Sequence, residues 1–265
     1  MIDTSYTVQS EAFFYKHHKT KSPPCDYFSM HSHNMYELLY FVSGDATHVI
    51  EDRKYKLKKG DLIIIRPSKY HFIQIDSSSD YERYDILFDE KLLGIEEARL
   101  IPKQTEVINL NENAVATGLL QSTDYYYKKL GEGDFIKICT LILRQLFMDL
   151  SIKREYVEQE YSVINPLLSD ALAYINRNIF TLKSVKEVSD ALFVTESYLY
   201  RLFKRELKNT PKKYIQDKRL LYAQKLISKG IRPTDVFEDC GFNDYTSFYR
   251  GYVKFFGYPP SRDIK

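Results

Sequence analysis

Apolar residues alternate in short runs through the first ninety positions and recur every three or four residues through the last hundred. Tyr36–Val42, Thr47–Ile50, Leu62–Ile65, His71–Ile75 and Tyr84–Phe88 read as strands. They are punctuated by turn signals at Ser43-Gly44-Asp45, Lys59-Gly60-Asp61 and Asp76 to Asp80. Short strands at this spacing predict a sandwich or barrel. From about residue 111 the period lengthens. Asn111–Leu130 and Asp134–Arg154 read as two helices joined by Gly131-Glu132-Gly133, with Asp134 as the N-cap of the second. The charged stretch Lys153–Glu160 then runs into Asn165-Pro166. The pattern predicts an α+β chain of two domains: a barrel over 1–110 trailed by a helical pair over 111–155, a linker over 156–166, and an all-α domain over 167–265.

Composition changes this picture less than the placement of charge does. The 265 residues carry 38 Lys and Arg against 36 Asp and Glu, a net +2 that by itself argues against a polyanionic partner. Yet residues 166–265 hold 18 basic and 11 acidic side chains, a local +7, and 1–165 hold 20 and 25, a local −5. Opposite signs on two halves suggest two tasks, with the basic half suited to phosphate. No apolar run reaches the roughly 18 residues of a membrane span, and the N-terminus lacks the basic and apolar pattern of a secretion signal. Cys25, Cys139 and Cys240 are odd in number and form no CxxC pair, which argues against a disulfide framework or thiolate metal site and fits a cytoplasmic protein.

The basic half contains an internal repeat. Tyr198-Leu-Tyr-Arg-Leu-Phe-Lys204 has a counterpart 49 residues on in Ser247-Phe-Tyr-Arg-Gly-Tyr-Val253, and each Arg is followed ten residues later by Pro, at Pro211 and Pro260. A short apolar helix and a tight break precede each copy: Val185–Leu192 before Thr195, and Thr234–Cys240 before Asn243-Asp244. A bracing helix, a turn and a second helix with exposed polar residues form a helix-turn-helix, whose second helix enters a major groove roughly 12 Å wide. Ser197–Lys204, Thr210-Pro211-x2-Tyr214, Arg219-x3-Ala223, Gly241–Arg250 and Gly257-x2-Pro260 together resemble the AraC/XylS family of transcriptional regulators over about 170–262. The resemblance implies a long helix, about Thr210–Ser228, joining two motifs that read successive major-groove segments of double-stranded promoter DNA. It implies base contacts from Ser197, Tyr200 and Arg201 in the first motif and from Tyr245, Thr246, Tyr249 and Arg250 in the second. Lys204, Arg205, Lys208, Lys212 and Lys213 are the expected phosphate contacts. Four positions depart from the family pattern. Lys208 stands at the usual helix-ending glycine, leaving Asn209 to supply the left-handed residue. Phe237 stands where a small residue allows close helix crossing. Gly251 and Val253 replace a helix former and a basic residue, at about 1 kcal/mol of helix propensity for the glycine, which predicts weaker binding by the second motif.

In the first domain, His31-x-His33-x3-Glu37-x6-Gly44 and Gly60-Asp61-x5-Pro67-x3-His71 resemble the two cupin motifs, and cupin-like barrels commonly precede this DNA-binding region and hold a small effector, often a sugar. Read directly, His31 and His33 stand two apart on a strand and share one side of the sheet. With Glu37 and His71 they make three imidazoles and a carboxylate, a set suited to Zn, Mn, Fe or Ni. The same residues suit metal-free hydrogen bonding to a sugar, the favoured reading, or buried polar lining. No cofactor is required. His31, His33, Glu37, Arg66, His71 and Tyr84 are the expected effector pocket; Tyr36, Tyr40, Phe41, Tyr70 and Phe72 add aromatic faces. The tract His17-His18-Lys19 reads as surface loop.

These readings predict a cytoplasmic, ligand-responsive transcription factor, not an enzyme. It would act as a homodimer, with the helical pair over 111–155 either forming the dimer interface or simply covering the barrel, and with changes in promoter occupancy or RNA polymerase contact as its output. The alternatives are a metal-dependent cupin enzyme, such as a sugar isomerase or dioxygenase, with a helical appendage, and a regulator without a small effector. The tandem repeat and the confined positive charge favour the first.

Overall fold

Period-two alternation sorts the side chains of the first half onto two faces. In the computed structural model, which describes residues 3–24, 30–152 and 159–264, this half forms β1 (Asp3–Gln9), β2 (Phe13–Thr20), β3 (Tyr36–Ser43), β4 (Ala46–Ile50), β5 (Arg53–Lys56), β6 (Asp61–Ile65), β7 (His71–Ile75), β8 (Tyr81–Phe88), α1 (Ile95–Ala98), β9 (Val107–Asn109), α2 (Ala114–Tyr127), α3 (Glu132–Ile152) and β10 (Ser162–Val163). One sheet runs β1-β2-β8-β3-β6-β9 and the other β10-β5-β4-β7. Neighbouring strands run antiparallel in both, as β2 on β8 and β4 on β7 illustrate. The expected barrel takes the form of these two sheets enclosing a shared interior. Leu39, Phe41, Ile63, Ile65 and Tyr81 of the larger sheet pack there with Ala46, Ile50, Tyr55, Ile73 and Ile75 of the smaller.

The alternate residues of β3, β6 and β8 face the other way. Leu38, Tyr40, Leu62, Ile64, Tyr84, Ile86 and Phe88 pack with Leu120 of α2 and with Phe135, Leu143, Leu146 and Phe147 of α3. The helical pair thus covers the sheet's outer face. Asn113 caps α2, accepting from the Ala116 N–H at 3.0 Å. Asp134 is not the N-cap of α3 as expected: that helix begins at Glu132, and Asp134 lies in its first turn, where a carboxylate complements the helix dipole. His17 and His18 are also displaced from expectation, since both lie within β2 instead of a loop, and His18 is buried. Of the cysteines, Cys139 and Cys240 are buried and free, and Cys25 falls outside the described residues. Among the described residues no helix is long and apolar enough to cross a membrane.

The chain divides into two units, 1–162 and 163–265. The second contains α4 (Pro166–Asn178), α5 (Val185–Ala191), α6 (Glu196–Leu207), α7 (Pro211–Ile227), α8 (Pro233–Asp239) and α9 (Tyr245–Phe256). Leu199, Leu202, Phe203 and Leu207 bury one stripe of α6, and Phe248 and Tyr252 do the same for α9. Both long elements are capped at their starts: Thr195 accepts from the Tyr198 N–H at 3.2 Å, and Asp244 from the Ser247 N–H at 2.7 Å. Arg219 of α7 donates to the carbonyls of Ile179, Leu182 and Gly241, so one guanidinium satisfies backbone from three segments.

Three of the departures from the family pattern, at Lys208, Phe237 and Gly251, resolve locally. Lys208 itself takes the left-handed conformation, φ +50°, and Asn209 instead accepts from the Thr210 N–H at 2.8 Å. Phe237 is accommodated by turning its ring edge-on to Tyr245, with centroids 5.8 Å apart. Gly251 is buried against α7, and the Gln216 amide fills the space where its Cβ would stand. Because a Cβ at φ +50° meets the following carbonyl, Lys208→Gly is expected to stabilise the chain by about 1 kcal/mol, measured as a higher urea midpoint at unchanged slope.

Candidate functional site

The motif histidines converge, by a route other than the expected strand. His31 and His71 form an isolated antiparallel bridge, exchanging N–H···O bonds of 3.1 and 3.0 Å. This lays the segment before β3 along the start of β7. Glu37, second residue of β3, points inward and is buried, and His33 precedes that strand. One ligand atom from each of His31, His33, Glu37 and His71 lies within 4.8 Å of the others. Ring centroids of His31 and His71 are 4.2 Å apart, and those of His33 and His71 5.1 Å.

Backbone carbonyls orient two of these rings. His33 Nδ1 lies 3.0 Å from the Met35 carbonyl and His71 Nδ1 2.9 Å from that of Lys69, so each Nδ1 donates its proton there. The Nε2 atoms then face one oxygen of Glu37, at 2.9 Å from His33 and 3.0 Å from His71. His71 Nε2 is buried and lacks hydrogen-bond geometry to any partner. Neutral rings would set three acceptors against one another, so a proton or a cation must lie among them. Burial opposes charge on Glu37, yet the His71 and His33 imidazoles outweigh it and hold the carboxyl well below its ordinary range. Burial likewise opposes a charged His71, and Glu37 raises it nonetheless. The residues fit a divalent cation: three imidazoles, one carboxylate, and two rings with their second nitrogens already engaged.

Behind this cluster stand polar groups that the motifs did not reveal. His48 of β4 is buried, stacks on His71 at 6.0 Å with ring planes 13° apart, and has no hydrogen-bond partner at either nitrogen among the described residues. Burial, reinforced by His71, pushes its pKa well down, so it is neutral. Arg83 and Asp85 of β8 point into the same interior and pair at 2.6 Å, and burial pushes Asp85 up to about 6 despite Arg83.

Two expected pocket residues lie elsewhere. Arg66, just past β6, donates to the carbonyls of Pro102 and Thr105 at 2.9 Å each. Tyr84 is on the opposite face of its sheet, donating to Asp124 of α2 at 3.0 Å and stacking on His17 at 4.1 Å. There His17 is held between two carboxylates, with Nδ1 2.9 Å from Asp124 and Nε2 3.0 Å from Glu82. Tyr15 and Thr123 complete this network.

In the second unit, Ser197 and Arg201 are exposed on α6, and Tyr245, Thr246, Tyr249 and Arg250 on α9. Tyr200 is half-buried in a groove of about 500 Å³ that also takes in Lys212, Gln216 and Ser247. Lys204, Lys208 and Lys212 are exposed. Arg205 pairs with Glu206 at 2.7 Å and Lys213 with Asp217 at 2.5 Å, so two of the five expected phosphate contacts are already engaged.

Residues 19–122 match the AraC-like ligand binding domain, and residues 188–265 match a helix-turn-helix domain family. The chain belongs to the AraC-type transcriptional regulators. Its relatives include the "HTH-type transcriptional activator RhaR" of Escherichia coli O1:K1, 24% identical over 255 residues, covering 90% of this chain and 88% of that protein. They also include the "Probable transcriptional regulator LumQ" of Photobacterium leiognathi, 33% identical over 106 residues, covering 40% of this chain and 42% of the other. The match thus spans less than half of LumQ. Among solved structures, ToxT from Vibrio cholerae O395 aligns over 96% of this chain and 98% of its own, at 11% identity and a TM-score of 0.40. This AraC-type chain therefore pairs an N-terminal ligand-binding domain with a C-terminal helix-turn-helix domain, and it is a regulator, not an enzyme.

The network on the outer face titrates. Burial lowers the His17 pKa, but hydrogen bonds and charge from Asp124 and Glu82 outweigh it and raise the net value. Burial raises Asp124, and His17 with the tyrosine hydroxyls outweighs that and lowers it. The stabilisation from His17 is complete below the ordinary histidine pKa of about 6.5 and is lost as pH rises through the raised value; that from Asp124 is present above about 3.9 and is lost as pH falls through the lowered one. His17→Gln is expected to cost about 2 kcal/mol near pH 6 and less at pH 9, read from urea melts of the full chain at both pH values.

Proposed function

We propose that the N-terminal unit senses a small polyhydroxylated molecule, a sugar or close analogue, at the His31–His33–Glu37–His71 end of its interior. The C-terminal unit presents α6 and α9 to successive major-groove segments of promoter DNA in the cytoplasm. The observation that carries the sensor reading is the convergence of three imidazoles on one buried carboxylate. A strand end closed by apolar side chains would avoid the desolvation that such a cluster costs. Neutral His48 and the Arg83–Asp85 pair extend the polar region behind it.

One further observation favours a cation at this site: both Nε2 lone pairs face the Glu37 oxygen while both Nδ1 atoms serve backbone carbonyls. A divalent ion held by His31, His33, Glu37 and His71 would supply a Lewis-acidic anchor for paired hydroxyls of the effector. The protein's own part is then to fix the tautomers through the Met35 and Lys69 carbonyls.

Pairing of two copies would run along α3, whose outer edge leaves Leu141, Met148 and Ile152 exposed by 57, 55 and 78% while its inner face packs on the sheet. Effector binding would then alter how the two DNA-binding units are presented, and with them promoter occupancy or contact with RNA polymerase. Effector and DNA must each change the other's affinity by the same factor.

A thermal-shift series with monosaccharides and related polyols, run with EDTA and with added Zn, Mn or Ni, tests the site. The melting temperature is expected to rise with one compound class by mass action, and Glu37→Gln is expected to remove that rise. Stabilisation by metal alone, with stoichiometric metal in the purified protein, establishes the cation reading. Indifference of the wild type to every sugar and every metal would sink both. For the DNA-binding half, affinity for promoter fragments is expected to fall about a thousandfold between 50 and 200 mM salt, and a flat response contradicts phosphate-anchored binding.

A further inference from the structure

Phe193 runs against local physics twice. It directly follows the C-terminal cap of α5 and takes φ +56°, a left-handed conformation in which a Cβ crowds the following carbonyl. Its side chain is also 96% exposed, the most of any large hydrophobic among the described residues. A glycine would relieve both. The second motif has that solution: Gly241, directly after the cap of α8, takes φ +79°. A Cβ on Gly241 would stand 2.8 Å from the Arg219 guanidinium and from the Phe180 carbonyl, so close packing demands glycine there. Among the described residues nothing crowds Phe193, and none packs on its ring.

Backbone bonds fix the turn that displays it. The Phe193 N–H reaches the Asp190 carbonyl at 3.2 Å, and the Val194 N–H reaches that of Ser189 at 3.0 Å. Two residues on, Thr195 caps α6, whose first turns carry Ser197, Tyr200 and Arg201. That end of the second helix is the one a helix-turn-helix directs into the major groove. The ring therefore extends the reading surface of the first motif. Its exposed neighbours Asp190 and Glu196 disfavour a phosphate at this corner, which leaves apolar surface of the DNA as the partner. Thymine offers such a surface in the major groove through its C5-methyl group, and the deoxyribose edge offers another.

We infer that Phe193 is a DNA contact, its ring lying on a thymine methyl or an adjacent deoxyribose at the edge of the segment read by α6. This rests on the reading that α6 enters the major groove. A position that costs stability in the free protein would thus be repaid when the ring is covered on DNA.

The test uses the full chain and a duplex selected by the wild type from a random library. Phe193→Gly is expected to melt at a higher temperature than the wild type and to bind that duplex about tenfold more weakly. Its slope of log affinity on log salt should be unchanged, because an apolar contact releases no counterions. Replacing thymine by deoxyuridine, one position at a time, assigns the surface. A wild-type loss at one position that Phe193→Gly no longer shows identifies the methyl; a Phe193→Gly loss with no such position identifies the sugar. Equal affinity of Phe193→Gly and wild type overturns the inference, and a transcription defect in that variant would then point to a protein partner instead. Failure of the α6 reading is separately visible, as failure to enrich any duplex or as Arg201→Ala binding like the wild type.

Discussion

Period-two alternation along β3 and β8 is the constraint on which the sensor half depends. Adjacent residues of one strand point to opposite faces, so Glu37, Arg83 and Asp85 enter the interior while Leu38, Tyr84 and Ile86 meet the helices. Two polar clusters consequently lie back to back across one sheet. The interior one gathers His31, His33, Glu37, His48 and His71; the outer one ties Tyr84 and His17 to Asp124 of α2. Each is costly to bury and is offset by its internal partners. A strand displacement that reshapes the inner cluster necessarily moves the outer one, because Tyr84 is bonded directly to both Arg83 and Asp85. The interior Arg83–Asp85 pair is thus linked to α2 through the backbone of β8 and the Tyr84–Asp124 hydrogen bond.

The same parity explains which site residues were legible in the sequence. His31, His33, Glu37 and His71 are named by motif spacing, and spacing survives any error about how the chain brings them together. The expectation that His31 and His33 share a strand fails, yet the backbone bridge between His31 and His71 produces the convergence. Tyr84 is different. An aromatic beside a polar motif suggested a pocket wall, but Ile86 and Phe88 share its face, and both belong to the helix-covered core. Their even spacing from Tyr84, two and four residues on, was the available signal. His17-His18-Lys19 misled for a related reason: a polar triplet looks like loop until its partners are known, and His17 pairs in register with Tyr6 and Tyr84 while its ring bonds Glu82 and Asp124, the latter more than a hundred residues away. His48 carried no local signal, since one histidine between Thr47 and Val49 in a strand is unremarkable until its ring is found against His71.

The helical half was more legible because its contacts are closer in sequence. Both second helices, their caps at Thr195 and Asp244, and the long α7 lie within a residue or two of their expected places. What periodicity could not convey was the burial of specific polar groups. Arg219 appeared only as a motif letter, and in the structure it replaces a set of hydrogen bonds that the turns around Ile179, Leu182 and Gly241 would otherwise lack. The same guanidinium stands against Gly241, which ties the glycine of the second turn to an arginine on another helix.

The net charge of +7 on this half is therefore not a measure of charge offered to DNA. Arg219 is turned inward, and Arg205, Lys213 and Arg232 each have a carboxylate partner. The exposed Lys204, Lys208 and Lys212 instead cluster between the end of α6 and the start of α7. Around α9 the exposed surface is chiefly Tyr245, Thr246, Tyr249 and Arg250, with Lys254 one turn further on. Phosphate attraction is thus concentrated beside the first motif, and the second presents hydroxyls and one guanidinium suited to base edges. The two motifs thus repeat one geometry with different surface chemistry: exposed lysines gather beside the first, while the second turns hydroxyls and one guanidinium to solvent.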